Sequence, residues 1–356
     1  MKGFPNFGNT CYINSIIQIL LNTPPFLLSL QSYCDDGAIT PDMPAERKAS
    51  LAFIDLAKVY HDPAVPREHF HDALRKFIII FRTCHEQFGF GQHDPHEYLM
   101  YFLKIIHDNQ HTVAHYSLTG EGKTAGDRLE QKALENFREG GMSTTEDNLR
   151  DTEHKCYDSP ISRLFTGQYR FQTECQNPSC KYISNRFDTF RSWEVSIGAG
   201  EAGKSVNLLD SLQEFTGITQ LSPEDMYECD KCKQKTQSLR KCTLWRVPPI
   251  LIIFVKRNIY KVDRGRPISY KDNREIDVPE ILDVAPYLSA PRSNVQYQLY
   301  GTANHMGTPH GGHCYSHIKG NDGSWNIVDD MSVKLSGRTR PEHKYILFYH
   351  AIYKPV

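Results

Sequence analysis

Gly3-Phe4-Pro5-Asn6-Phe7-Gly8-Asn9-Thr10-Cys11-Tyr12-Ile13-Asn14-Ser15 is the stretch around which the rest of the chain is read. A turn rich in glycine and asparagine delivers a cysteine to an apolar segment. Ile13, Ile16, Ile17, Leu20 and Leu21 recur at helical spacing, which predicts a helix from about Cys11 with that face buried. Asn9 or Thr10 suits the N-cap. Cys11 then sits in the first turn, where the positive end of the helix dipole favours thiolate over thiol. The free backbone N–H groups there, helped by a side-chain amide such as Asn6, can bind a developing oxyanion. A buried structural cysteine beside a loop fits the same stretch.

The chain has 356 residues, room for two ordinary domains or one large one. Its net charge of -1 argues against nucleic acid or an anionic membrane as partner through bulk charge. The longest apolar run, Pro248 to Val255, falls well short of the roughly 18 residues that span a bilayer and reads as a buried strand. No basic segment followed by an apolar core opens the chain, so no signal peptide is read. Ten cysteines without such a signal point to reduced thiols, metal or catalysis, and to cytosol or nucleus.

Residues 12–110 read as helical. Leu51, Ile54 and Ala57 give a weak periodic face; Phe70, Leu74, Phe77, Ile78 and Phe81 give a stronger one after Pro66. In Gln92-His93-Asp94-Pro95-His96-Glu97, Asp94 suits an N-cap, Pro95 the first helical position and Glu97 the third. Residues 112–160 are polar and glycine-bearing, and are expected as an exposed connection. From Phe165 the pattern turns to strands: Gln168 to Thr173, Phe187 to Ile197, a strand pair over Lys241 to Arg257, then Tyr297 to Ala303, Tyr315 to Lys319, Trp325 to Asp329 and Tyr345 to Tyr353. Helices first and strands later argue for an α+β fold.

Two close cysteine pairs, Cys175/Cys180 and Cys229/Cys232, each fit a tight turn that aims two thiolates at one point. Together they make a closed tetrahedral site, the structural kind of zinc site, which leaves no position for substrate and contributes to folding.

A cysteine nucleophile needs a base and a group that orients the base. His313 follows Gly311-Gly312, which permit close approach of a substrate backbone, and opens the strand Cys314 to Ile318. After a turn at Gly320 to Gly323, a second strand from Trp325 ends in Asp329-Asp330. A hairpin returns one of these two carboxylates beside His313, where it can fix the imidazole tautomer.

These stretches together resemble the ubiquitin-specific proteases, papain-like cysteine isopeptidases. Gly3 to Phe26 is similar to that family's cysteine box, Gln92 to Leu99 to the box that follows it, and Gly312 to His317 with Trp325 to Asp330 to its histidine box. The resemblance implies one catalytic domain over 1–356: a helical thumb (1–160), fingers with a zinc ribbon (161–247) and a palm (248–356). It implies Cys11 as nucleophile, His313 as base, Asp329 as its orienter, Asn6 at the oxyanion position and Asp330 in support of it. Asp94, Gln92, Gly311 and Gly312 match substrate-binding positions, and 260–271 and 305–312 match loops that roof the tail channel. One structural zinc per chain, ubiquitin and ubiquitinated proteins as partners, and a monomer follow from the same resemblance.

The sequence departs from the family at Cys314, where tyrosine is usual, and at His317, where an aromatic is common. Cys314 beside the base is expected to alter packing or to oxidise. The same chemistry on another ubiquitin-like modifier, and an inactive ubiquitin-binding scaffold, are the alternative functions. The scaffold is disfavoured because Cys11, His313 and Asp329 are all present.

Overall fold

The computed structural model describes residues 1–33, 39–84, 86–89, 91–109, 112–115, 155–198, 203–263, 265–289, 295–309, 311–339 and 342–353. Five helices come first: α1 (Cys11–Leu21), α2 (Pro24–Tyr33), α3 (Ala45–His61), α4 (Arg67–Cys84) and α5 (Pro95–Asn109). Their apolar faces converge as the periodicity requires. Phe70, Leu74, Phe77, Ile78 and Phe81 of α4 are all buried, and Leu51, Ile54 and Ala57 of α3 face the same core.

The strand Ile250–Lys256 explains how the molecule is layered. Alternate residues of a strand point to opposite faces. Ile250 and Ile252 enter the core shared with the five helices, while Leu251, Ile253 and Val255 enter a second core with Trp193, Leu208 and Leu212. A strand covered on both faces can be apolar throughout, so this one lacks a polar alternation. It belongs to an eight-stranded sheet whose strands run Ser332–Ser336, Trp325–Asp329, Gly311–Lys319, Val295–Thr308, Lys344–Tyr353, Ile250–Lys256, Trp193–Ser196, with Ile281–Asp283 beside Val295–Thr308. Neighbours are antiparallel except the last pair, which is parallel. Helix α1 lies on this sheet, against Gly311–Lys319 and Val295–Thr308.

A four-stranded sheet (Ile183–Phe190, Gly167–Glu174, Leu239–Arg246, Ile218–Gln220) projects away, its strands mostly half-exposed. Two expectations change here. Leu239–Arg246 and Ile250–Lys256 are both strands but do not pair; they lie in different sheets. Pro248 and Pro249 between them lock φ and donate no ladder bond, so the chain cannot fold back as a hairpin. Likewise, Phe187 to Ile197 splits, and Trp193–Ser196 leaves the finger segment 161–247 to join the large sheet, where Trp193 is fully buried. Most of the polar connection over 112–160 lies outside the described residues; Thr112–His115 and Lys155–Asp158 pair as an antiparallel ribbon. Residues 260–271 fall largely in a two-stranded ribbon, Asn258–Asp263 with Arg266–Lys271. Among the described residues no single helix is long and apolar enough to cross a membrane.

Candidate active site

The loop before α1 folds on its own polar groups. Gly8 and Asn9 have positive φ, 92° and 54°, and the Asn6 side-chain oxygen accepts from the N–H of Gly8 and of Thr10, both at 3.1 Å. Thr10 holds the N-cap position, yet its hydroxyl makes no cap bond. It accepts from the Phe7 N–H at 3.0 Å and bonds the Asn6 oxygen instead. With its oxygen occupied, the Asn6 amide has one orientation. One N–H goes to Asp330 Oδ2 at 3.0 Å.

Asp329 and Asp330 separate for a reason that strand alternation does not supply. Asp329 is the last strand residue and its Oδ1 lies 2.6 Å from His313 Nε2. Asp330 has φ 46° and begins the turn. Its carboxylate therefore swings toward α1, where Oδ1 accepts from Asn14 Nδ2 at 2.8 Å and its carbonyl accepts from the Phe4 N–H at 2.8 Å. The ligating atoms of His313, Asp329 and Asp330 still lie within 4.8 Å of one another, so the two acids do not occupy opposite faces. Asp329 serves the imidazole, and Asp330 clamps Asn6 and Asn14. Asn14 is a positioning residue that the sequence reading passed over.

With Nε2 on Asp329, Nδ1 is the ring nitrogen left for Cys11, and each of the two side chains shifts the other's titration. Cys11 is 5% exposed. A hydrogen bond from the Cys314 thiol is the largest influence on it and, with the bond to His313, overrides burial and brings its thiol down to about 4. The bond to Cys11 and then Asp329 push His313 up to about 9. Between those limits the pair is thiolate and imidazolium. The residue expected to perturb packing, Cys314, is thus a partner of the sulfur. Its own thiol is pushed well above the ordinary range, first by that bond and then by burial.

Asp94 caps α5, its Oδ1 accepting from the N–H of His96 (2.7 Å) and Glu97 (3.2 Å), and its Oδ2 accepts from the Tyr345 hydroxyl. Gln92 reaches across the cleft to Gly312, accepting from its N–H at 3.0 Å and donating to its carbonyl at 3.2 Å. A Cβ at Gly312 would run into the Met306 carbonyl and lie 2.6 Å from His305 Nε2. The close approach expected for a substrate backbone is therefore already made there, by the partner strand. Lys271 and His305, bonded to each other at 2.9 Å, also border this region. Burial takes Lys271 down to about 8 and His305 to about 4. Both fall in the stretches matched to the channel roof, 260–271 and 305–312, but their pairing was not read, because no spacing links residues 34 apart.

At the finger tip the sulfurs of Cys175, Cys180, Cys229 and Cys232 lie within 4.8 Å of one another. Lys181 and Lys233, each directly after the second cysteine of a pair, have φ 47° and 57°. These left-handed residues close the two turns, with Cys180 N–H on Asn177 O and Lys233 N–H on Cys229 O. Four convergent thiols are the donor set of a tetrahedral site, and a divalent metal fits it.

A cysteine thiolate beside a carboxylate-oriented histidine, at the start of a helix, is the equipment of a thiol hydrolase. The ubiquitin carboxyl-terminal hydrolase family model matches residues 2–349, and the chain belongs to that family. It is 29% identical over 374 residues to human ubiquitin carboxyl-terminal hydrolase 21, covering 99% of this chain and 62% of that protein. It is 27% identical over 363 residues to ubiquitin carboxyl-terminal hydrolase 23 of Arabidopsis thaliana, covering 98% of this chain and 35% of that one. The chain thus spans less than two thirds of these relatives. Among solved structures, the SAGA DUB module of Ubp8, Sgf11, Sus1 and Sgf73 bound to ubiquitin aldehyde superposes with a TM-score of 0.74 at 19% identity, over 99% of this chain and 70% of that one. The same module bound to monoubiquitin gives 0.74 at 19%, over 99% and 69%.

Proposed function

We propose that this chain is a deubiquitinase, a thiol-dependent hydrolase of the peptide or isopeptide bond after the C-terminal glycine of ubiquitin. The observation that carries the reading is the Cys11–His313–Asp329 arrangement, with Asp329 at 2.6 Å from the ring, in a chain of this family. Cys11 attacks the carbonyl carbon as thiolate. The oxyanion is met by the second Asn6 N–H and by backbone N–H groups at the start of α1. His313, protonated through its pairing with Cys11, gives its proton to the departing amine. It then takes one from the water that releases the acyl-enzyme. Asp329 keeps the ring oriented, and Asp330 keeps Asn6 turned to the cleft.

Gln92, Asp94, Gly311 and Gly312 line the tail's path together, and the Gln92 bridge to Gly312 opens to let the tail pass. A slot walled by bare backbone suits a diglycine and hinders side chains. The four finger cysteines hold one Zn²⁺, whose contribution is to folding, since a closed tetrad offers no position to substrate. One copy carries every group named, which supports action as a monomer, and its free cysteines suit cytosol or nucleus.

The test is ubiquitin bearing a C-terminal electrophile, offered beside other ubiquitin-like modifiers with the same group. The expected result is one ubiquitin added to Cys11 and none to Cys11→Ala. Labelling of a different cysteine, or exclusive labelling by another modifier, would overturn the assignment.

A further inference from the structure

The cleft holds a second sulfur that the proposed reaction does not use. Cys11 and Cys314 line it together, and no other cysteine does so among the described residues. Both are free thiols, 5% and 4% exposed. They meet because α1 lies against the strand Gly311–Lys319. The Cys314 thiol and backbone N–H both act on the Cys11 sulfur and favour its thiolate. The other described cysteines lie elsewhere, four at the finger tip and Cys84 and Cys242 on α4 and a finger strand.

We propose that Cys314 is a resolving thiol for Cys11, so that oxidation of the nucleophile by a hydroperoxide ends in a Cys11–Cys314 disulfide. The inference rests on Cys11 as the reactive thiolate of the proposed function.

In the first step the Cys11 thiolate attacks the distal peroxide oxygen. The O–O bond breaks, the alcohol or water leaves with a proton from solvent, and Cys11 becomes a sulfenic acid, two electrons oxidised. In the second step Cys314 sulfur attacks Cys11 sulfur. The S–O bond breaks, the hydroxide leaves as water with the Cys314 proton, and the S–S bond forms. A thiol reductant reverses the change by exchange, regaining both thiols and itself becoming a disulfide.

The two sulfurs are coupled in the order this sequence needs. While Cys11 is a thiolate, its bond to Cys314 is the foremost cause holding Cys314 protonated. A sulfenic acid is neutral, so that cause lapses once Cys11 is oxidised. Lys271 then favours the Cys314 thiolate, against burial and the Asp94 carboxylate, which still oppose it. The disulfide takes Cys11 away from His313 and closes the path to the irreversible sulfinic acid.

The experiment uses the full chain. Untreated protein is first labelled with the ubiquitin electrophile, and absence of labelling would refute the underlying functional reading. Protein that labels is titrated with hydrogen peroxide, its remaining thiols are alkylated, and the digest is analysed by mass spectrometry. The expected product is a Cys11 peptide linked to a Cys314 peptide, with labelling lost and then restored by dithiothreitol. In Cys314→Ser, the same dose should carry Cys11 to sulfinic acid, with recovery several-fold lower relative to that variant's own untreated level. Sulfinic acid without the linked peptide in the wild type, an intrapeptide Cys11 sulfenamide in place of the link, or equal recovery in Cys314→Ser would each overturn the inference. The wild-type digest stands whether or not the variant folds.

Discussion

At the finger tip, two turns closed by left-handed lysines bring four sulfurs within 4.8 Å of one another, on strands that are mostly half-exposed. In the cleft, two sulfurs meet where α1, the Gly311–Lys319 strand and the Asp329–Asp330 turn come together, on a core that holds Phe4, Ile13, Ile16, Ile17 and Cys314 at 4% exposure or less. Position at the tip is thus set locally, by backbone turns a few residues long, and apolar packing contributes little to holding the two turns together. A metal supplies what the core does not, structural zinc being worth about 10–16 kcal/mol in small finger peptides. Position in the cleft is set by the packing of distant segments, with hydrogen bonds of Asn6 and Asp330 fixing the loop and the turn that meet there. One element serves as a ligand in the first place and as a nucleophile in the second because the first surroundings are closed and local, the second open and built over long range.

The contrast breaks first at Cys11. Cys11→Ala should abolish turnover and leave ubiquitin binding in place, measured by hydrolysis and by titration calorimetry; residual wild-type turnover would move the nucleophile elsewhere. Next come the groups around it. Asn6→Ala and Asp330→Ala should each lower kcat by roughly 10²–10³-fold with KM changed far less, the usual size for one oxyanion donor. Their Cys11 should still alkylate quickly with iodoacetamide at neutral pH. Asp329→Ala should slow that alkylation; were Asp330→Ala to slow it and Asp329→Ala not, the two carboxylates would exchange roles.

A smaller effect concerns pH. Cys11 is lowered to about 4, so its thiolate is lost only as pH falls through that value; His313 is raised to about 9, so the imidazolium is lost as pH rises through it. Alkylation should therefore hold level well below neutral, and Cys314→Ala should move its acidic limb upward, because the Cys314 thiol is the chief support of the thiolate. An unmoved limb would return that role to His313. The smallest effect expected on the cleft comes from the far end. Cys229→Ser should lower metal content and speed hydrogen exchange across the finger strands, yet leave Cys11 alkylation unchanged. A slower Cys11 would mean that the two regions are not independent.

The tip was legible because its signal is local: two cysteine pairs at turn spacing are read without knowing the fold. The hairpin bearing His313 and Asp329 was legible for a similar reason, since a glycine-rich turn between two alternating stretches sets which ends meet. Asp330 was assigned to support of the oxyanion site through the family resemblance alone; the left-handed φ that turns its carboxylate toward α1 has no signal in the sequence. Other features need the register of one segment on another. Cys314 meets Cys11 only because α1 crosses its strand, Lys271 finds His305 only because its ribbon packs on the Val295–Thr308 strand, and Leu239–Arg246 parts from Ile250–Lys256 at two prolines. Such pairings depend on core packing, which no short stretch of sequence encodes.

Gly312 has a consequence in the terms of heredity. Any side chain there runs into the Met306 carbonyl on the neighbouring strand, one residue from the imidazole. Every amino acid reachable from a glycine codon by one base change carries a Cβ. The position therefore has no mild variant, and a single mutation there displaces the strand that presents His313. A lineage can drift at the exposed finger strands and still keep its cleft; at Gly312 it keeps glycine or first rebuilds the opposing strand.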